Sequence, residues 1–290
     1  MRKIITIFLL LLSVSSYAQD AIKLWGDSPD DYQKRDVELF FYPADRQHNS
    51  KVAIIFCPGG SYCYLAKKNE GHDPAKMFCH YGVNSFVLIY RRGIKGNRYP
   101  AQIQDLQRAM IYVRDNAEKL GIDADKVGVC GFSAGGHLSG TSAEYFNNNY
   151  VDNQSHNLRP DFSIMMYPVV SMQDDIGHKK SRRNLLGQYY DSSTKDSLSL
   201  ELNVHDQMPP VYIVACKDDP IVDYRNAVRM SQALESIGNV HKFTLYETGG
   251  HGFGVNSNLI KSQNPEAAFW YKDFIQWFNT IFNFNLTYYE

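Results

Sequence analysis

The run Gly131-Phe132-Ser133-Ala134-Gly135 flanks a serine with glycines two residues to either side. A serine hydroxyl is a poor nucleophile until a base takes its proton. The run follows an apolar stretch that reads as a strand and opens one that reads as a helix. At such a strand-to-helix turn the two glycines remove side chains that would clash, and Ser133 Oγ is expected to project above a sheet. The helix N-terminus beneath it favours developing negative charge.

A base is therefore sought, and a group to orient it. His251 stands in Thr248-Gly249-Gly250-His251-Gly252-Phe253, a glycine-rich loop after the last expected strand, where a histidine is presented rather than buried. His72, His80, His137 and His205 compete with it; the order Ser…Asp…His and the loop position favour His251. Lys217-Asp218-Asp219-Pro220 follows another apolar run. A carboxylate there would orient the imidazole and stabilise its charged form. Asp219 is the first choice, with Asp218 and Asp223 as alternatives that suit a turn or helix cap. The remaining need is for N–H donors to a tetrahedral oxyanion. Pro58-Gly59-Gly60-Ser61-Tyr62 ends a strand, and its glycines let backbone approach a substrate oxygen. The N–H of Gly60 or Ser61, with that of Ala134, is assigned this role. No HExxH or similar metal-ligand spacing occurs, and the chemistry calls for no metal or organic cofactor.

These residues need a scaffold that brings strand ends together. Strands are predicted at Val37 to Tyr42, Lys51 to Cys57, Val83 to Tyr90, Lys126 to Gly131, Asp161 to Tyr167, Val211 to Cys216 and His241 to Tyr246. Helices are predicted at Asp73 to His80, Gln102 to Leu120, from Ala134, at Tyr224 to Ile237 and at Pro265 to Phe282. Fully apolar strands alternating with helices predict an α/β fold, a mostly parallel central sheet with helices on both faces. The stretch 170–210 is the least regular and reads as an insertion over the site.

The chain has 290 residues, 44% of them hydrophobic and 21% charged, with a net charge of −1. That composition excludes a disordered chain, and the near-zero charge offers no field for nucleic acid or anionic lipid. A mean hydropathy of −0.38 excludes a polytopic membrane protein. Arg2 and Lys3, the apolar run Ile4 to Leu12 and the small residues up to Ala18 read as a signal peptide. The apolar run is too short for a membrane anchor. Residues 19–290 are then expected to be exported as one domain. Five cysteines, Cys57, Cys63, Cys79, Cys130 and Cys216, leave an odd number and form no CxxC pair. Cys57, Cys130 and Cys216 lie in apolar runs and read as core residues, while a Cys57–Cys63 bridge is compatible with the spacing.

The chain resembles the α/β-hydrolase superfamily, and within it the small acetyl-xylan and feruloyl esterase-like proteins. The resemblance is carried by PGGSY at 58–62, YRR at 90–92, YPAQIQDLQRAM at 99–110, GFSAGGHLSG at 131–140, RRNLLG at 182–187, DDPIVDYRNAV at 218–228 and GGHGF at 249–253. It implies Ser133 as nucleophile, Asp219 as acid and His251 as base of a two-step acyl transfer. It further implies carboxylic esters on plant polysaccharide, O-acetyl groups foremost, as substrate. Ser61 stands where the family pattern has glycine, which keeps the backbone donor and adds a hydroxyl. Arg91 and Asp105 also match and are read as a structural ion pair. Tyr62, with Tyr64, Tyr189 and Tyr190, is a candidate for stacking on a sugar or phenolic ring. A prolyl-oligopeptidase-type peptidase, a lipase and a catalytically inactive binding module share the fold and are the competing expectations.

Overall fold

The computed structural model describes residues 21–26, 32–152, 154–255 and 265–289. The expected signal segment 1–18 lies outside them. Eight strands form one sheet: β1 (Ile22–Lys23), β2 (Glu38–Tyr42), β3 (Ala53–Cys57), β4 (Asn84–Ile89), β5 (Val127–Phe132), β6 (Ser163–Met166), β7 (Val211–Cys216) and β8 (His241–Tyr246). Their spatial order is β1-β2-β4-β3-β5-β6-β7-β8. β1 and β2 run antiparallel to their neighbours, and the six strands from β4 to β8 are mutually parallel. Every residue of β3, β4, β5, β6 and β7 is buried, which is why these strands read as unbroken apolar runs.

Alternate residues of each strand face opposite sides of the sheet. Ile54, Phe56, Val87, Phe132, Ile164 and Val214 pack on one face. There they meet α1 (Asp73–Cys79) through Phe78, and the C-terminal helix Trp270–Phe282 through Trp270, Phe274 and Phe278. Ile55, Phe86, Leu88, Val127 and Val129 pack on the other face. That face is covered by Ile103, Leu106 and Met110 of α2 (Ala101–Asp115) and by Leu138 of α4 (Ala134–Glu144). Ile213 and Ala215 of β7 complete it against Ala227, Met230 and Leu234 of α7 (Arg225–Ser236). The expected α/β architecture, helices on both faces of a mostly parallel sheet, is thus what the chain adopts.

Three local differences have plain causes. The helix expected over 102–120 breaks at Asn116, whose side-chain amide donates to the Tyr112 carbonyl; α3 (Ala117–Leu120) then forms a separate turn. The irregular stretch 170–210 contains α5 (Lys179–Leu186) and α6 (Ser192–Ser197), the latter capped by Asp191 accepting from the Thr194 N–H. All five cysteines are free thiols, so the Cys57–Cys63 bridge is not made; Cys57 is buried at the end of β3.

Candidate active site

Ser133 links β5 to α4 with φ 56° and ψ −116°. A non-glycine residue in that region carries about 1–3 kcal/mol of backbone strain and persists only where its surroundings fix it. Here the Ser133 N–H donates to Met166 O at 2.9 Å, and its carbonyl accepts from Val169 N at 3.1 Å and His137 N at 3.2 Å. The flanking glycines permit the turn: a Cβ on Gly131 would lie 1.8 Å from Gly135 O, and one on Gly135 would lie 2.0 Å from Cys57 O. Ala134 is the first residue of α4, so its N–H has no acceptor within the helix.

His251 Nε2 lies 2.9 Å from Ser133 Oγ, and His251 Nδ1 lies 2.6 Å from Asp219 Oδ2. A carboxylate only accepts, so Nδ1 carries the proton and Nε2 is free to accept from the serine. The Asp219 side chain is 2% exposed and that of His251 13%. Oδ1 of Asp219 accepts from the N–H groups of Ile221 at 2.8 Å and Val222 at 3.0 Å, which fixes the plane of its carboxylate. The structure therefore brings together Ser133, His251 and Asp219. Asp218 points to the other side of the same turn and accepts from Gly249 N and Gly250 N, holding the loop that carries the histidine. Asp223 pairs with Arg225 instead. Of the competing histidines, His72 bonds Tyr42 and His205 bonds the Glu144 carbonyl. His137 is buried, and desolvation lowers its pKa to about 4.

The loop after β3 runs through three consecutive positive φ values, 133° at Gly60, 55° at Ser61 and 56° at Tyr62. Its carbonyls are all engaged: Gly60 O accepts from Cys63 N and Tyr64 N, Ser61 O from Asn184 Nδ2 and Tyr62 O from Gly93 N. Each peptide plane is thereby fixed. Gly60 and Ser61 line the same cavity of about 390 Å³ as Ser133 and His251. Tyr64, Asn69, His178 and Lys180 complete much of its wall, the last two from the 170–210 stretch.

Tyr62 does not face this cavity. Its left-handed backbone turns the ring inward, where it is 1% exposed and its hydroxyl donates to His137 Nδ1 at 2.9 Å. The expectation that Tyr62 binds substrate is corrected to a packing and hydrogen-bonding role. Tyr64, 54% exposed, is the aromatic that reaches the cavity. Tyr189 and Tyr190 are exposed but are not among the residues that line it. Arg91 and Asp105 form the expected buried pair, with Arg91 Nε 3.0 Å from both carboxylate oxygens and Trp25 Nε1 2.9 Å from one of them. Two residues after Arg91, the Gly93 N–H bonds the Tyr62 carbonyl and ties this segment to the loop.

Glu70 gave no signal in the sequence. It is 4% exposed, in a π-helical turn (Lys68–His72), and accepts from Gly59 N at 2.8 Å and from the Tyr167 hydroxyl at 2.9 Å. Desolvation raises its pKa, against those two hydrogen bonds and the charge of His251. Among the described residues no three His, Cys, Asp or Glu side chains converge to hold a metal ion.

A mostly parallel sheet in this order, with a strained serine after β5, an acid after β7 and a histidine after β8, defines an α/β-hydrolase. Residues 39–234 match the BD-FAE family, and the chain belongs to it. An acetylxylan esterase of Xylanibacter ruminicola is 32% identical over 260 residues, 88% of this chain and 51% of the relative. Endo-1,4-beta-xylanase B of Butyrivibrio fibrisolvens is 32% identical over 216 residues, 72% of this chain and 34% of that protein. The chain thus spans about half or less of these relatives. A solved acetyl ester-xyloside bifunctional hydrolase from Caldicellulosiruptor lactoaceticus superposes with a TM-score of 0.76 at 28% identity, covering 88% of this chain and 96% of that one.

Proposed function

We propose that the protein is a carboxylic ester hydrolase that works through an acyl-enzyme on Ser133. The observation that carries this is the unbroken line of hydrogen bonds from Ser133 Oγ through His251 to Asp219, with the serine held in a strained turn. Ser133 Oγ attacks the ester carbonyl carbon while His251 Nε2 takes its proton. The carbonyl oxygen becomes an oxyanion and is received by the N–H of Ala134 and that of Gly60 or Ser61. Asp219 stabilises the imidazolium. As the intermediate collapses, the ester C–O bond breaks and His251 gives its proton to the leaving alcohol. Water, deprotonated by the same histidine, then adds to the acyl-enzyme; the acid leaves and Ser133 regains its proton.

The substrate proposed is an O-acetyl ester on plant polysaccharide. The acetylxylan esterase and the xylanase among the relatives support it. Export is part of the same proposal: the protein collected outside the cytoplasm should begin at Gln19, and a mature N-terminus at Met1 would refute it. The test of function is hydrolysis of 4-nitrophenyl acetate and acetylated xylan by the wild type and by Ser133→Ala. The wild type should release acetate and the variant should lose at least about a thousandfold in rate. Equal rates in the two, or none in either, would refute the mechanism. Preference for long-chain esters, methyl ferulate or peptide amides would refute the substrate.

A further inference from the structure

Two loops must keep their relative position for the proposed chemistry: the one after β3, which offers N–H groups, and the one after β8, which offers His251. They belong to strands far apart in the sheet. One buried acid joins them. Glu70 Oε2 accepts from the Gly59 N–H at the base of the first loop, and Oε1 accepts from the Tyr167 hydroxyl. That hydroxyl in turn accepts from the Gly254 N–H, three residues past His251, at 3.1 Å. The Tyr167 ring lies 4.7 Å from the His251 ring and 4.6 Å from Phe253, centroid to centroid. Tyr167 holds φ 35°, so the backbone too departs from the common regions here.

Burial raises the pKa of Glu70, and the two hydrogen bonds it accepts and the nearby His251 oppose that rise. Gly59 offers one hydrogen and Tyr167 offers one, and both go to the carboxyl. The Tyr167 oxygen already serves as acceptor to Gly254. As a carboxylate, Glu70 satisfies both donors with its two oxygens, Oε2 for Gly59 and Oε1 for Tyr167.

We infer that Glu70 is a positioning residue: its carboxylate ties the Gly59 turn to the His251 loop through Tyr167 and supports positive charge on His251. The inference rests on the proposed role of His251 as base. The other titratable groups around Glu70 are Tyr167, Tyr90 and Cys130, and burial pushes all three up and keeps them neutral. His251 faces Asp219 and His178 as well, and burial lowers the pKa of His178. The carboxyl groups that act on the imidazolium are then Asp219, bonded to it, and Glu70, which lines the same cavity.

The test is Glu70→Gln, which keeps an acceptor for Gly59 but removes the charge, alongside Tyr167→Phe, which keeps the charge but cuts the link to Gly254. With 4-nitrophenyl acetate, Glu70→Gln should lower kcat about tenfold or more with KM within about twofold. The acidic limb of its kcat/KM profile should move down by about one pH unit, because an imidazolium without a neighbouring anion loses its proton more readily. Tyr167→Phe should lower kcat at least about fivefold and leave that limb in place. Circular dichroism and thermal melts establish that each variant is folded. An unmoved acidic limb in folded Glu70→Gln overturns the inference, and so does a kcat within twofold of wild type in Tyr167→Phe. The latter decides alone if Glu70→Gln does not fold. Ser133→Ala separates this from the larger proposal: full activity there would refute the serine mechanism itself.

Discussion

Replacing Asp219 by asparagine changes one oxygen to an NH2 group, and the surroundings dictate which one. Oδ1 accepts from Ile221 N and Val222 N, while Oδ2 accepts from His251 Nδ1. The substituted amide keeps its oxygen toward the two backbone N–H groups and so points its NH2 at Nδ1. That nitrogen must then be unprotonated, which places the imidazole hydrogen on Nε2, facing Ser133 Oγ. A base that already holds its proton cannot take the serine's. The flipped amide would restore the productive tautomer but would lose both backbone bonds, at on the order of 1–3 kcal/mol. With 1.4 kcal/mol per factor of ten, the flipped form is held to roughly a sixth of molecules or fewer. Serine hydrolases with this exchange lose about ten-thousandfold in kcat, so kcat should fall by at least about fivefold and up to about ten-thousandfold. Pre-steady-state and steady-state hydrolysis of 4-nitrophenyl acetate, with the melting temperature measured in parallel, provides the assay. A folded Asp219→Asn protein that retains more than about a third of the wild-type kcat would show that Asp219 does not set the tautomer of His251.

Asp218→Ala should cost only about tenfold in kcat/KM, because the Gly249 and Gly250 N–H groups it anchors are exposed to water and the carboxylate does not touch His251; a loss equal to that of Asp219→Asn would contradict this division of roles. Gly60→Ala places a Cβ 2.2 Å from Tyr64 O at a φ of 133° and forces the loop to move, so kcat should drop about a hundredfold or more and the melting temperature should fall with it; wild-type kcat in this variant would contradict the role of the loop. His137 is neutral when folded because its pKa is lowered to about 4, whereas the unfolded chain protonates near 6.5. Between those values the unfolded state binds more protons, so this group's contribution is complete above pH 6.5 and is lost as pH falls toward 4. In urea titrations the wild type should lose on the order of 3 kcal/mol more than His137→Gln across that window. The raised pKa of Glu144 gives the opposite slope and is common to both proteins. Equal pH dependence in the two would overturn this assignment.

The sequence showed most where local pattern and physical cause coincide. β3, β4, β5 and β7 are buried on both faces, so their apolar runs are legible without knowing any partner. Ser133 and His251 stand in glycine-rich turns that serve one purpose. Asp218 and Asp219 are adjacent, and only the turn that sends one to His251 and the other to Gly250 separates them. β1 has two residues, too short for any periodicity. α5 is polar along most of its length and buries Ser181 and Arg182, so no apolar stripe announces it. The inward direction of Tyr62 depends on a left-handed backbone that an aromatic residue does not advertise, so its burial is not legible from its neighbours in sequence. Glu70 was invisible because its partner Tyr167 is 97 residues away and its environment exists only once both faces of the sheet have closed.

The cavity wall has two origins. Ser133 and His251 are held by strand ends in the sheet, whereas His178 and Lys180 come from a segment that crosses outside it between β6 and β7. None of the hydrogen bonds that fix Ser133, His251 or Asp219 comes from residues 170–210, although Asn184 of that stretch donates to Ser61 O and helps to fix the loop after β3. The wall and the proposed reacting groups thus rest on largely separate sets of contacts. Substitutions at His178 or Lys180 therefore change the wall of the cavity without touching the hydrogen bonds of Ser133, His251 or Asp219.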